Sequence, residues 1–175
     1  MNFFSRIALR SPFILITLVF IFFVTAGAQN KSGIEVLSDA ALTKVVPTSF
    51  YFAGQSAVTQ MRNATAAQLR KDRYVIAGLV DTSGYSSEIS GKYEGFLITD
   101  SPILVGSKPL GTGAYGFGFS KSGRLNIFDI SSKLILSTAS RNDGEMKRPR
   151  PLQMISSDKG LRLYKGKSYV LIRAR

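Results

Sequence analysis

From Thr48 onward the chain is written in short runs whose apolar residues tend to alternate with polar ones. TSFYFA (Thr48 to Ala53), QSAVTQMR (Gln55 to Arg62) and RYVIAGLV (Arg73 to Val80) come first, then KYEGFLIT (Lys92 to Thr99) and PILVG (Pro102 to Gly106). GAYGFGFS (Gly113 to Ser120), RLNIFDIS (Arg124 to Ser131) and KLILSTAS (Lys133 to Ser140) follow, and after a polar stretch from Arg141 to Pro151 the pattern resumes in LQMISS, LRLY and SYVLIRAR. Alternation at period two is the mark of half-buried strands. The glycine turns Lys121-Ser122-Gly123, Asp158-Lys159-Gly160 and Lys165-Gly166-Lys167 join neighbouring runs as hairpins, so the last third reads as an antiparallel meander. Connections this short leave no room for crossover helices, which disfavours a parallel α/β sheet. The expectation is an all-β domain of about 8 to 10 short strands, built as a single antiparallel barrel or a two-sheet sandwich. Pro102 at the head of PILVG suits an edge strand. Between two of the runs, the alanines of NATAAQLRKD (Asn63 to Asp72), with Asn63 or Thr65 as N-cap, predict a loop or one to two helical turns.

The N-terminal end has a different texture. Arg6 and Arg10 precede an apolar run from Pro12 to Val24, and Ala26-Gly27-Ala28 forms a small-x-small cleavage site. That order is the order of a secretory signal peptide, and the apolar core is shorter than the roughly 18 residues a spanning helix needs. The expected organisation is a signal-peptide helix over 1–28, an N-terminal linker over 29–46 and an all-β domain over 47–175. The mature form is expected to be periplasmic or extracellular, with no transmembrane anchor and no cysteine to carry a lipid.

Composition sharpens this picture by what is missing. The chain has no cysteine and no histidine, so thiol catalysis is excluded and the usual general base and commonest transition-metal ligand are absent. No acidic cluster dense enough for a calcium loop is present, and neither a cofactor nor a metal is expected. Both leader arginines leave with the leader, which takes the net charge to +10. The charge is unevenly placed: residues 121–175 hold 13 Lys and Arg against 4 Asp and Glu, an excess of +9. A field of that sign favours anionic partners. For an exported protein these are an envelope polymer or a lipid surface, or a small ligand, and not nucleic acid.

Two motifs invite an enzymatic reading. Gly111, Gly113 and Gly116 have the G-x-G-x-x-G spacing of a dinucleotide-binding turn, but here the glycines open a strand where the fingerprint requires a helix N-terminus. Their alternation puts Tyr115, Phe117 and Phe119 on one face and Ala114, Gly116, Gly118 and Ser120 on the other. LVDTSGYSS (Leu79 to Ser87) has the apolar-apolar-Asp-Thr start of an aspartic-protease loop, yet Ser83 occupies the required glycine position and no second copy exists. The expected role of Asp81 is instead to accept backbone hydrogen bonds in a turn. Among the remaining carboxylates, Glu94 and Asp129 lie inside apolar strands, where burial would demand an Arg or Lys partner.

Two candidate binding sites remain. In MKRPRPLQ (Met146 to Gln153), Pro149 and Pro151 hold Lys147, Arg148 and Arg150 in a stiff extended strip suited to phosphate or carboxylate, and Arg162 and Lys165 are expected to extend it. The bare glycine face, with Tyr115, Gly116, Phe117, Gly118, Phe119, Asp81 and Tyr85, is the candidate floor of a ligand groove. KPLGTGAYGFGF with RLNIFDI, and RPRPLQMI with GLRLYKGKSYVLI, resemble a group of small secreted bacterial β proteins, acidobacterial in type. The resemblance implies export and β structure over roughly 47–175 and carries over no activity and no site residue. The functional expectation is a non-enzymatic, envelope-associated binding domain contacting anionic components through its basic C-terminal third. The alternatives are a lipocalin-like carrier of a small apolar ligand and a carboxylate-dependent hydrolase.

Overall fold

β-branched and aromatic residues at alternate positions build most of the strands, as their preference for a pleated, half-buried surface dictates. The computed structural model describes residues 33–175, so the leader expected over 1–28 lies outside the described residues. In chain order the strands are β1 (Glu35–Val36), β2 (Ser49–Phe52), β3 (Gln55–Arg70), β4 (Arg73–Val80), β5 (Gly95–Thr99), β6 (Ile103–Val105) and β7 (Lys108–Leu110). They continue with β8 (Gly113–Ser120), β9 (Arg124–Phe128), β10 (Leu134–Ala139), β11 (Arg141–Asn142), β12 (Gln153–Ser157), β13 (Gly160–Lys165) and β14 (Ser168–Ala174). Two short helices, α1 (Asp39–Val45) and α2 (Ser87–Ser90), accompany them.

All pairings are antiparallel and fall into two sheets. The 8-stranded sheet runs β1-β3-β4-β5-β8-β9-β10 with β2 joined to β3, and the 6-stranded sheet runs β12-β13-β14-β6-β7 with β11 joined to β14. The barrel alternative is corrected: the β6–β7 hairpin leaves the first sheet between β5 and β8 and pairs with Ile172 to Ala174 of β14, which divides the strands between two open sheets.

Three further expectations change. The alanine-rich stretch from Asn63 is neither helix nor loop but the second half of β3, held between β1 and β4. Its small side chains are buried on both faces, Ala64 and Ala66 on one and Ala67 and Leu69 on the other, so tertiary packing overrides alanine's helical preference. PILVG is not an edge strand, because β6 sits between β14 and β7 with Ile103 and Val105 fully buried; the edge is β7, which carries Pro109. Within the stretch read as linker, 33–46 contains β1 and α1, and Leu42 and Val46 pack onto the domain.

The 8-stranded sheet is buried on both faces. Ala67, Val75, Ala77, Leu97, Phe117, Leu125 and Ile127 meet Ile103, Val105, Leu161, Leu163, Val170 and Ile172 of the other sheet. The opposite face is covered by the β2–β3 hairpin and the helices, through Phe50, Phe52, Tyr85, Tyr93, Phe96 and Phe128. Each of these large side chains contributes roughly 1.5–3 kcal/mol by leaving water.

The long β3 changes partner part-way. Its first residues pair with β2 and its last with β4, and between the pairs Thr59–Val80 and Ala64–Gly78 the residues Gln60 to Asn63 stand opposite Leu79 alone. This wide bulge is pinned by Gln60 Nε2 donating to the Val80 carbonyl at 3.0 Å and by Asn63 Nδ2 donating to Gln60 Oε1 at 2.8 Å. It turns Met61 and Arg62 outward.

Candidate anion-binding loop and cleft

The segment between β11 and β12 crosses the outer face of the 6-stranded sheet and is tied down at both ends. Asp143 N–H donates to the Lys167 carbonyl at 2.9 Å, Tyr164 Oη donates to Asp143 Oδ2 at 2.8 Å, and Gly166 N–H donates to the Arg150 carbonyl at 3.0 Å. Between these anchors Lys147, Arg148 and Arg150 are exposed, and no ion pair to them forms among the described residues. Pro149 and Pro151 limit the freedom of the strip, so little entropy remains to be lost on binding.

Arg162 and Lys165 do not join them as free cations. The Arg162 guanidinium donates to Tyr164 Oη at 3.2 Å, lies 3.8 Å from Asp143 Oδ2 and stands 4.9 Å above the centre of the Tyr169 ring. The hydrogen bond from Arg162 to Tyr164 is the main cause that raises its pKa above the ordinary value. Lys165 shares its strand face with Leu161 and Leu163, points between the sheets and pairs with Glu94 of the other sheet. Burial pulls the Lys165 ammonium below its ordinary pKa. Glu94, which lies just before β5 and not inside it, also accepts the Phe119 N–H at 2.8 Å, so this half-buried carboxylate has a basic partner.

The residues of the expected groove are separated by strand alternation. Tyr115, Phe117 and Phe119 face the 6-stranded sheet, while Gly116 and Gly118 face the other way. The glycine face is occupied by this chain itself: a Cβ at Gly116 would overlap the Phe52 ring, and one at Gly118 would overlap the Lys92 carbonyl. Tyr85 is buried beside Phe52 and Tyr93 and donates to the Gln55 carbonyl at 3.0 Å. Asp81 lies exposed in its turn, accepting the Ser83 N–H at 3.0 Å, a bond that holds its carboxyl below the usual range. The space between the sheets, where a lipocalin-like carrier would hold its ligand, is filled by side chains of both sheets.

Three other carboxylates are engaged one by one. Glu88 pairs with Lys92 at 3.4 Å, and Asp100 accepts the Tyr74 N–H through both oxygens at 2.9 Å. Asp129 accepts the Ser131 N–H and the Lys133 N–H at 2.9 Å and is held below its ordinary pKa chiefly by the Ser131 hydroxyl. It caps a turn and stays outside the core. Among the described residues no group of three or more acidic side chains gathers into a metal site.

One feature escaped the sequence pattern. Arg150 reaches the rim of a cleft of about 400 Å³ between α1, the β3 bulge and the start of β12. Leu42, Met61, Ala64, Leu152 and Met154 supply its apolar lining, and Arg62, Asp39, Thr43 and Gln153 its polar one. The single trace in the sequence is the loss of alternation at Gln60-Met61-Arg62-Asn63. A second, smaller cleft of about 320 Å³ is lined by Arg70, Lys71, Arg73 and Arg175 around Leu69 and Pro102. Comparison with family models, curated proteins and solved structures gives no match.

Proposed function

We propose that this chain is an exported, non-enzymatic binding domain that captures an anionic envelope component through Lys147, Arg148 and Arg150. The observation that carries this reading is the tethered loop: it is fixed to the sheet at Asp143 and Arg150 and presents three cations that the rest of the fold leaves unpaired among the described residues. A fold that needed those charges for its own stability would pair them, as it pairs Arg162 and Lys165. Exposed cations on a stiff loop raise the encounter rate with polyanions and form contacts that salt screens over about 8–10 Å. Arg62 stands at the same cleft as Arg150 and extends the cationic surface beyond the strip.

The test is retention on phosphatidylglycerol vesicles and on dextran sulfate at 50 mM and 500 mM salt, with phosphatidylcholine vesicles as the uncharged control. Retention on the two anionic supports alone, lost at the higher salt and weakened about tenfold in Lys147→Gln/Arg148→Gln, is the expected result. Equal retention of the double variant and the parent sinks the proposal.

A further inference from the structure

The cleft beside the basic loop has a mixed lining, apolar and polar in about equal measure. Its floor is formed by Leu152, Met154 and Ala64, all buried, and the Thr65 hydroxyl at the floor accepts the Met154 N–H at 3.2 Å. Met61 stands over this floor and remains 37% exposed on a bulge that two side-chain hydrogen bonds hold open. Arg62 and Arg150 line the same opening, and neither guanidinium has a hydrogen bond or ion pair among the described residues. Asp39, on α1, lines the same cleft. A volume of about 400 Å³ lies within the range of sites that hold small molecules.

We infer that this cleft takes the anionic headgroup and first methylenes of a single-chain amphiphile, the headgroup between Arg62 and Arg150 and the hydrocarbon against Met61, Leu152 and Met154. The inference rests on the reading of the domain as an anion-binding module and names the class of anion: a lipid, in which charge and hydrocarbon belong to one molecule. A hydrophilic polyanion satisfies the arginines and leaves Met61 and the apolar side of the cleft in water. An uncharged alkyl chain covers the floor and leaves both guanidinium groups unpaired. Only the amphiphile satisfies both, and the loop and the cleft then act together, Lys147 and Arg148 on the charged surface and the cleft on one molecule drawn from it.

The experiment is calorimetric titration of the purified protein with octyl, decyl and dodecyl phosphate below their micelle concentrations. Inorganic phosphate reports the headgroup alone, decyl maltoside the chain alone, and dextran sulfate a polyanion without hydrocarbon. Affinity should rise about two- to fourfold for each methylene the cleft covers, the gain expected from removing it from water. Arg62→Gln should weaken every alkyl phosphate about tenfold whatever its length. Thr43→Trp, placed on the exposed side of α1 at the mouth, should abolish the gain with chain length and leave dextran sulfate binding intact. Affinity independent of chain length in the parent protein overturns the inference without recourse to any variant, as does decyl maltoside binding as tightly as decyl phosphate. The loop reading fails separately, by dextran sulfate binding that Lys147→Gln/Arg148→Gln leaves unchanged. A chain-length gain that survives in that double variant still supports the cleft.

Discussion

The two faces of the 8-stranded sheet are buried by different means. One meets a second sheet mainly through aliphatic side chains contributed from both sides, with Phe117 among them, as layers packed about 10 Å apart allow. The other is covered by the chain's own β2–β3 hairpin and its two helices, mainly through aromatic rings: Phe50 stacks on Phe96 with centroids 5.0 Å apart, and Phe52 on Tyr93 at 4.0 Å. Where a ring or a backbone lies against this face, the strand beneath it carries glycine. Gly116 receives Phe52 of the hairpin, Gly118 admits the Lys92 carbonyl from the segment after α2, and Gly78 leaves room for the ring of Phe96, its partner on the adjacent strand β5. The glycine-rich strand is thus a seat for the fold's own aromatic cover. Clefts open at the margins of this packing, one of them between α1, the β3 bulge and the start of β12.

The contrast is broken most severely at the glycine seat. Gly116→Val should cost more than about 4 kcal/mol in urea unfolding, because the new side chain and Phe52 cannot share the space, whereas Phe117→Leu on the aliphatic face of the same strand should cost about 1–2 kcal/mol. Equal losses at the two neighbours would refute the account of the two faces. Phe52→Ala, which empties the seat from the other side, should cost about 3–5 kcal/mol. If Phe52→Ala restores part of the stability that Gly116→Val loses, the pair is in direct contact.

Tyr93 separates the faces by pH. Its hydroxyl is buried without a hydrogen-bond partner among the described residues, and burial pushes the phenol above its ordinary value of 10.0. As pH rises through 10 the unfolded chain loses this proton and the folded chain keeps it, so stability present below pH 10 is lost above it. Tyr93→Phe should gain about 1 kcal/mol at pH 8 and lose less than the parent between pH 9.5 and 11. Thermal scans in which the parent and the variant decline in parallel would show that Tyr93 is not the group responsible. Glu94→Gln should cost about 1 kcal/mol, since Lys165 then keeps a half-buried charge with only an amide beside it. Removing the loop cations in Lys147→Gln/Arg148→Gln should move stability by less than about 0.5 kcal/mol, because nothing in the fold uses them.

Strand composition and turn chemistry were readable at most places. Alternation located β4, β8, β9 and β14, and the glycine turns located the hairpins between β8 and β9 and along β12, β13 and β14. The reading failed where local preference and tertiary demand disagree. Asn63 to Arg70 carries alanines that favour helix in isolation and suit a strand when both faces are tightly covered. The basic strip was legible as far as Lys147, Arg148 and Arg150, because prolines and charge are local features. Arg162 and Lys165 look the same in sequence, and it takes Asp143 and Glu94, brought in from distant parts of the chain, with Tyr164 beside Arg162 on the same strand, to engage them.

The sequence by itself determined that strands dominate, that neighbours in the last third pair antiparallel, and that cationic charge gathers there, since each depends on residues within a few positions of one another. Tertiary structure decided the division into two open sheets, which hangs on the excursion of β6 and β7 to β14, and the direction of each face. It also decided that glycine would face Phe52 and that Arg62 would meet Arg150 across a cleft, two positions 88 residues apart in the chain. Side-chain period and turn chemistry are local, whereas which surface covers a face is set by segments that the sequence places far away.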